Sequence, residues 1–319
     1  MKKISKVMIV TLLYTCVIGC DDVFEENISD DVILAISPKG DEVIESNTVN
    51  FQWSSLDGAN EFRIQILKKN TEAIVVDSLL SDNFLALPLV SGNYDWRVRG
   101  ENFAYQTGYS FVESFVVEST NDLSDQNVFL NSPNEDIYIN YSSIELDWLS
   151  LDAANSYTLQ VNKNVNGVSS TVLLESDIVT TNYNLDSEIL DEDAVYTWRI
   201  HAVNDISQTN ESIRTLFLDT TLPNQPILAT PENDSTVFGS VDFIWNLGID
   251  TGEVQSLIES VIEISSDENF GTIISISVSD DDTYQYTFDS VGQYYWRVKA
   301  IDEAGNEGVF SNVNTLTVE

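Results

Sequence analysis

Cysteine is nearly missing from this chain. Its 319 residues hold two, Cys16 and Cys20, both close to the N-terminus. The rest of the chain therefore has no disulfide framework, no thiol nucleophile and no cysteine metal site. Histidine occurs once, at His201, which leaves no second imidazole for a zinc site. No nucleophile elbow, phosphate loop or metalloprotease helix motif occurs. Cations are scarce as well: 14 Lys and Arg stand against 52 Asp and Glu, a net charge of −38. Such a body repels phosphate backbones, so nucleic acid is not expected as a partner. No stretch shows a helical period. Hydrophobic residues nevertheless make up 43% and aromatics 10%, enough for packed cores in spite of the acidity.

The six tryptophans reveal an internal repeat. Three close an alternating apolar run: Val49-Asn-Phe51-Gln-Trp53, Ile144-Glu-Leu146-Asp-Trp148 and Val241-Asp-Phe243-Ile-Trp245. The others lie in a second motif: Tyr94-Asp-Trp96-Arg97-Val98, Tyr196-Thr-Trp198-Arg199-Ile200 and Tyr294-Tyr-Trp296-Arg297-Val298. The first set recurs after 95 and 97 residues, the second after 102 and 98. Pro38, Pro133 and Pro231 open the units, 15, 15 and 14 residues before the first tryptophan. Alternation of period two marks half-buried strands. In the third unit the next strand is Ser260 to Ile264, so the loop after Trp245 is longer by roughly seven residues.

About seven short strands per hundred residues predict an all-β chain of three tandem immunoglobulin-like β-sandwiches. The Tyr-x-aromatic-Arg segments, Tyr94 to Gly100, Tyr196 to Ala202 and Tyr294 to Ala300, resemble the penultimate strand of fibronectin type III modules. The turn Asp302-Glu-Ala-Gly305-Asn306 is similar to one in bacterial versions of that module. The resemblance covers about residues 32–319 and implies fold more than function. Trp53, Trp96, Trp148, Trp198, Trp245 and Trp296 alternate in phase with aliphatic positions. They are expected to fill the sandwich centres rather than to serve as sugar platforms, each burying about 150–250 Å². The tyrosine two residues before Trp96, Trp198 and Trp296 sits where antibody-type domains carry a tyrosine corner.

The N-terminus has a basic start, Met1 to Lys6, an apolar run from Val7 to Ile18, and then Gly19-Cys20-Asp21-Asp22. The run is too short to span a bilayer and suits a signal peptide. Val17-Ile18-Gly19-Cys20 resembles the lipobox of bacterial lipoproteins, which implies acylation at Cys20 and a membrane anchor. The acidic residues after Cys20 resemble surface-export signals of Bacteroidetes-type bacteria, implying a lipid-anchored protein of the outer membrane facing outward; the alternative is inner-membrane retention, which Asp21 would imply under the rule for enteric bacteria. Signal removal takes Lys2, Lys3 and Lys6 away, leaving 11 basic residues. The expected layout is a signal peptide over 1–19 and an acidic tether over 20–31, followed by modules over 32–119, 125–219 and 225–319. Polar linkers span 120–126 and 220–226, the second stiffened by prolines.

Four further features bear on chemistry. The loop from Glu101 to Tyr109 places Phe103, Tyr105 and Tyr109 between two strands, at a sandwich end where partners bind. The alternative is that Phe103 or Tyr109 caps the core. Asp280-Asp281-Asp282, and Asp302 with Asn306 and Glu307, offer oxygens for calcium. Neither group has EF-hand spacing, and both read as solvated turns, so no metal and no cofactor is expected. Arg97, Arg199 and Arg297 point outward, for stacking or cross-strand pairing. Asn246 to Glu259 is a candidate domain contact or partner site. With carboxylate pairs supplied by sheer abundance, the chain is expected not to be an enzyme. It reads as an envelope lipoprotein for adhesion or for capture of protein or polysaccharide, the alternative being a structural spacer without a ligand.

Overall fold

A computed structural model describes residues 25–319. The signal peptide and Cys20 lie outside the described residues. Among the described residues every element is a strand, and the strands form three pairs of sheets, each pair made of one three-stranded and one five-stranded sheet.

The first sandwich contains β1 (Ala35–Ser37), β2 (Glu42–Ile44), β3 (Thr48–Trp53), β4 (Glu61–Lys68), β5 (Ile74–Leu80), β6 (Phe84–Pro88), β7 (Gly92–Glu101) and β8 (Glu113–Val117). Its sheets run β1-β3-β6 and β2-β8-β7-β4-β5. The second contains β9 (Leu130–Ser132), β10 (Ile137–Ile139), β11 (Ile144–Trp148), β12 (Ser156–Val165), β13 (Val168–Ile178), β14 (Asn182–Leu185), β15 (Ala194–Val203) and β16 (Ser212–Leu218). The third contains β17 (Ile227–Thr230), β18 (Ser235–Val237), β19 (Ser240–Asn246), β20 (Ile258–Ser265), β21 (Ile273–Ser279), β22 (Thr283–Thr287), β23 (Gly292–Asp302) and β24 (Asn314–Val318). Both later sandwiches repeat the sheet order of the first.

In each unit the opening strand is broken at a cis proline, Pro38, Pro133 or Pro231. Its first half pairs in the small sheet and its second half pairs, parallel, with the last strand of the large sheet. Proline has no N–H for a ladder, so the crossing between sheets falls where a ladder bond would be lost anyway. The carbonyl of each proline accepts a side-chain donor: the Trp96 indole N–H at 2.7 Å, the Arg214 guanidinium, and the Asn314 amide at 3.1 Å.

Burial follows the alternation in the sequence. Along β7 and β15 every second residue is buried. None of the six tryptophans is more than 1% exposed. In the first sandwich Phe51 meets Trp96 and Phe115 edge to face at 5.2 and 5.5 Å, and Trp53 lies 6.4 Å from Trp96. In the second, Trp148 meets Tyr157 at 5.5 Å, and in the third Phe243 meets Trp296 at 5.0 Å. Such edge-to-face pairs contribute about 0.5–1.5 kcal/mol beyond their burial. The hydroxyls of Tyr196 and Tyr294 donate to the carbonyls of Glu192 and Ser290, both at 2.9 Å. That bond to a carbonyl four residues upstream is the tyrosine-corner geometry.

Two boundaries differ from the sequence reading. The stretch 25–31 is not free tether: Ile28 is fully buried, and the carbonyl of Glu26 accepts the Asn102 amide at 2.9 Å. Leu123, in the stretch read as the first linker, lies in the core cluster of the second sandwich with Trp148 and Trp198. Each stands ten residues before its cis proline. A lone aliphatic side chain among polar residues gives no periodic signal, yet burying it is worth roughly 1.5–3 kcal/mol.

The chain parts into two compact units. The first takes most of the residues up to Val117, and the second holds Glu118 to Glu319, with both later sandwiches.

Candidate functional site

Two groups of side chains stand out from the packed frame, both at sandwich ends. The first is the β7–β8 loop of the first sandwich. Its backbone is pinned. Asn102 Oδ1 accepts the N–H groups of Ala104 and Tyr105 at 3.1 and 2.7 Å, and Asn102 Nδ2 donates to the carbonyls of Glu26 and Gly58. Thr107 Oγ1 accepts the Gly100 N–H and donates to the Gly108 carbonyl.

On that frame Phe103 is 96% exposed and Phe111 87%. Phe103 therefore does not cap the core. Tyr105 is partly exposed, whereas Tyr109 lies under the Arg97 and Arg99 guanidinium groups, 4.3 and 4.8 Å from its ring centre. The three aromatics are thus split, with Tyr109 turned onto the outer face of the large sheet. Arg297 does the same in the third sandwich, stacking on Phe270 and Phe310 at 3.9 and 3.8 Å and pairing with Glu263. Arg199 pairs with Glu211. His201 is half-buried near the end of β15, opposite Thr158.

The second group lies within the second compact unit, where the chain passes from β16 to β17. Asp219, Asp250 and Asp302 are buried, at 0, 8 and 5% exposure, and their oxygens lie within 4.8 Å of one another. Asp219 follows β16, Asp250 sits in the long β19–β20 loop, and Asp302 ends β23. Each is held by donors. Asp219 Oδ1 accepts the Thr221 N–H, Asp250 accepts the N–H groups of Thr251 and Ser256, and Asp302 accepts the main-chain and amide N–H groups of Asn306. Asp219 Oδ2, however, is buried without a hydrogen-bond partner.

Burial pushes the Asp219 carboxyl up to about 6. The Asp250, Asp302 and Asp193 carboxylates push the same way, against the Thr221 hydrogen bond. The ion pairs among the described residues all lie elsewhere, so no lysine or arginine neutralises the three. Two like charges at this spacing repel by about 3.5 kcal/mol or more at an effective dielectric near 20.

Asp302 and Asn306 are therefore not a solvated turn, as the sequence had suggested. The Asp280–Asp282 turn is exposed throughout. Nor is 220–226 a free linker. Pro223 and Pro226 are buried, Asn224 N–H donates to the Ile249 carbonyl at 2.9 Å, and the Gln225 amide donates to the Phe310 carbonyl. The long loop reaches back as well, Glu253 accepting the Asn166 N–H. No sequence motif announces the cluster, since its members are far apart along the chain. The one available signal is register: Asp302 stands six residues after Trp296, where the other repeats carry Asn102 and Asn204.

No family model matches the chain, and no curated protein matches it. Among solved structures, the chicken CNTN1 FN1–FN3 domains are similar over 90% of this chain and 97% of that one, at 14% identity and a TM-score of 0.38. The fibronectin(III)-like modules of Clostridium thermocellum CbhA are similar over 60% of this chain and 92% of that one, at 12% identity and a TM-score of 0.37. The chain's own sheets define its class: a tandem array of immunoglobulin-like β-sandwiches.

Proposed function

We propose that this chain is a non-catalytic array of sandwich modules, held to a bacterial envelope through acylated Cys20 and facing outward from the outer membrane. There it captures a protein or glycan with the aromatic loop of its first sandwich. The observation that carries this reading is Phe103, almost wholly exposed on a loop whose backbone is fixed. The other repeats serve as internal controls. Asn204 builds the same frame, accepting the N–H groups of Ile206 and Ser207, yet that loop carries Asp205, Ile206 and Ser207. The frame itself does not call for aromatics, and a rigid, exposed ring is the kind of group that anchors partners. A stiff spacer is the second reading, supported by the bonded passage between the second and third sandwiches.

A glycan array and a surface-protein pulldown with residues 25–319 test the binding reading. Phe103→Ala is expected to lose the captured partner without a change in melting temperature. No hit across both panels would leave the spacer. For the anchor, Cys20→Ser is expected to abolish labelling by a lipid precursor, and retained label would refute it.

A further inference from the structure

The three repeats handle the same position in two ways. In the first, Asn102 Nδ2 reaches the carbonyls of Glu26 and Gly58, at 2.9 and 2.8 Å. In the second, Asn204 Nδ2 reaches the carbonyls of Asn121 and Ala153, at 2.8 and 2.9 Å. A neutral amide thus ties the entering segment and the loop after the first-motif strand to the end of the penultimate strand. Glu26, Asn121 and Asp219 each stand twelve residues before the cis proline. In the third repeat the amide is gone. Asp302 takes its place, the entering segment brings the Asp219 carboxylate inward, and the lengthened loop brings Asp250. Two donor hydrogens have been exchanged for a ring of three acidic side chains.

Asn306 restores part of the tie, donating to the Asp219 carbonyl at 2.8 Å and to Asp302 at 2.9 Å. It does not reach Asp219 Oδ2, a buried acceptor left without a donor. Burying an unpaired carboxylate is costly, and buried charges are paired or coordinate a metal. A single cation would satisfy all three groups at once.

We infer that Asp219, Asp250 and Asp302 form a calcium site that fastens the second sandwich to the third. An all-oxygen set of carboxylates suits a hard cation and excludes soft-metal chemistry. Calcium sits about 2.3–2.6 Å from its ligands, so oxygens up to about 5 Å apart can share one ion; magnesium, at about 2.0–2.1 Å with near-ideal octahedral geometry, reaches less far. The donors from Thr221, Thr251, Ser256 and Asn306 hold the carboxylates in place, as outer-shell groups do in metal sites. The site draws one ligand from the end of the second sandwich and two from the third, so occupancy ties the two together. It is independent of the aromatic loop.

The test is calcium titration of the full chain after chelator treatment, by calorimetry at physiological ionic strength, with melting followed in calcium and in chelator. One saturable ion per chain is expected, with a calcium-dependent rise in melting temperature. Asp302→Asn removes one carboxylate charge and keeps the size of the side chain, placing at this position the residue the other repeats use. It is expected to weaken calcium binding by about tenfold or more and to melt no lower than the parent chain in chelator. Asp281→Asn, on the exposed turn, is expected to change neither. Absence of saturable binding would overturn the site, as would equal binding by Asp302→Asn. Magnesium competing on equal terms would overturn the assignment to calcium.

Discussion

The amide of Asn204 donates to the main-chain carbonyl of Asn121 at 2.8 Å, latching the segment that enters the second sandwich to the end of β15. A second bond to the Ala153 carbonyl at 2.9 Å extends the latch to the neighbouring loop. Asn204→Ala leaves both carbonyls without that donor, and a loss of about 1–3 kcal/mol is expected in urea unfolding. Asn204→Asp is expected to cost more at neutral pH, because it turns a carboxylate onto two carbonyl oxygens with no cation to hold it. Equal stability of the two variants would contradict that.

Leu123 sits in a stretch with the composition of a linker, yet it is fully buried. Leu123→Ala is expected to lower stability by about 2–5 kcal/mol, as a core truncation does. Leu222→Ala, at an exposed position of the other connecting stretch, is expected to stay within about 0.5 kcal/mol. Chemical denaturation of both variants checks the contrast.

Gly248 lies where the long β19–β20 loop packs on the segment after Asp219. A Cβ there would run into the Asn224 carbonyl oxygen, which is backbone and does not yield cheaply. Gly248→Ala is therefore expected to loosen 220–226. Limited proteolysis should cut that segment faster than in the parent chain, with the sandwich cores still protected.

Burial pushes the Tyr196 hydroxyl up to about 12, the Asp191 carboxylate adding to the shift. The unfolded chain releases this proton near pH 10. Below that the contribution to stability is fully present. As pH rises from about 10 to 12 the unfolded state loses its proton first, and the contribution is lost. Tyr196→Phe is expected to be less stable at neutral pH, through the lost tie to Glu192, and to show a shallower loss in that alkaline window.

Much of the fold was legible in the sequence, for a simple reason. Strands buried on one face write a period of two, and residues such as Phe51, Trp53, Trp96 and Trp198 are large enough to mark the buried phase. Ile28 and Leu123 were not legible, because a single aliphatic side chain between acidic and polar neighbours has no period to belong to. The acidic cluster was hidden by distance along the chain and by abundance, since Asp219, Asp250 and Asp302 are three among 52 acids. Asp302 was weighed as a calcium oxygen, but with Asn306 and Glu307, and was read as a turn residue. The turn is real, as Gly305 N–H donates to its carbonyl, but the tie to Asp219 depends on how the segment after β16 packs, which no local pattern records. For the aromatic loop, position was readable and orientation was not. Tyr109 turns onto Arg97 and Arg99, while Phe103 stays in solvent.

Iodide quenching of tryptophan fluorescence in the native chain, followed through unfolding, probes the three interiors most directly. With all six indoles enclosed, iodide is expected to leave native emission almost unchanged and to quench it strongly once the chain unfolds. A native fraction that iodide reaches would place at least one indole in water and contradict the account of three tryptophan-filled sandwiches.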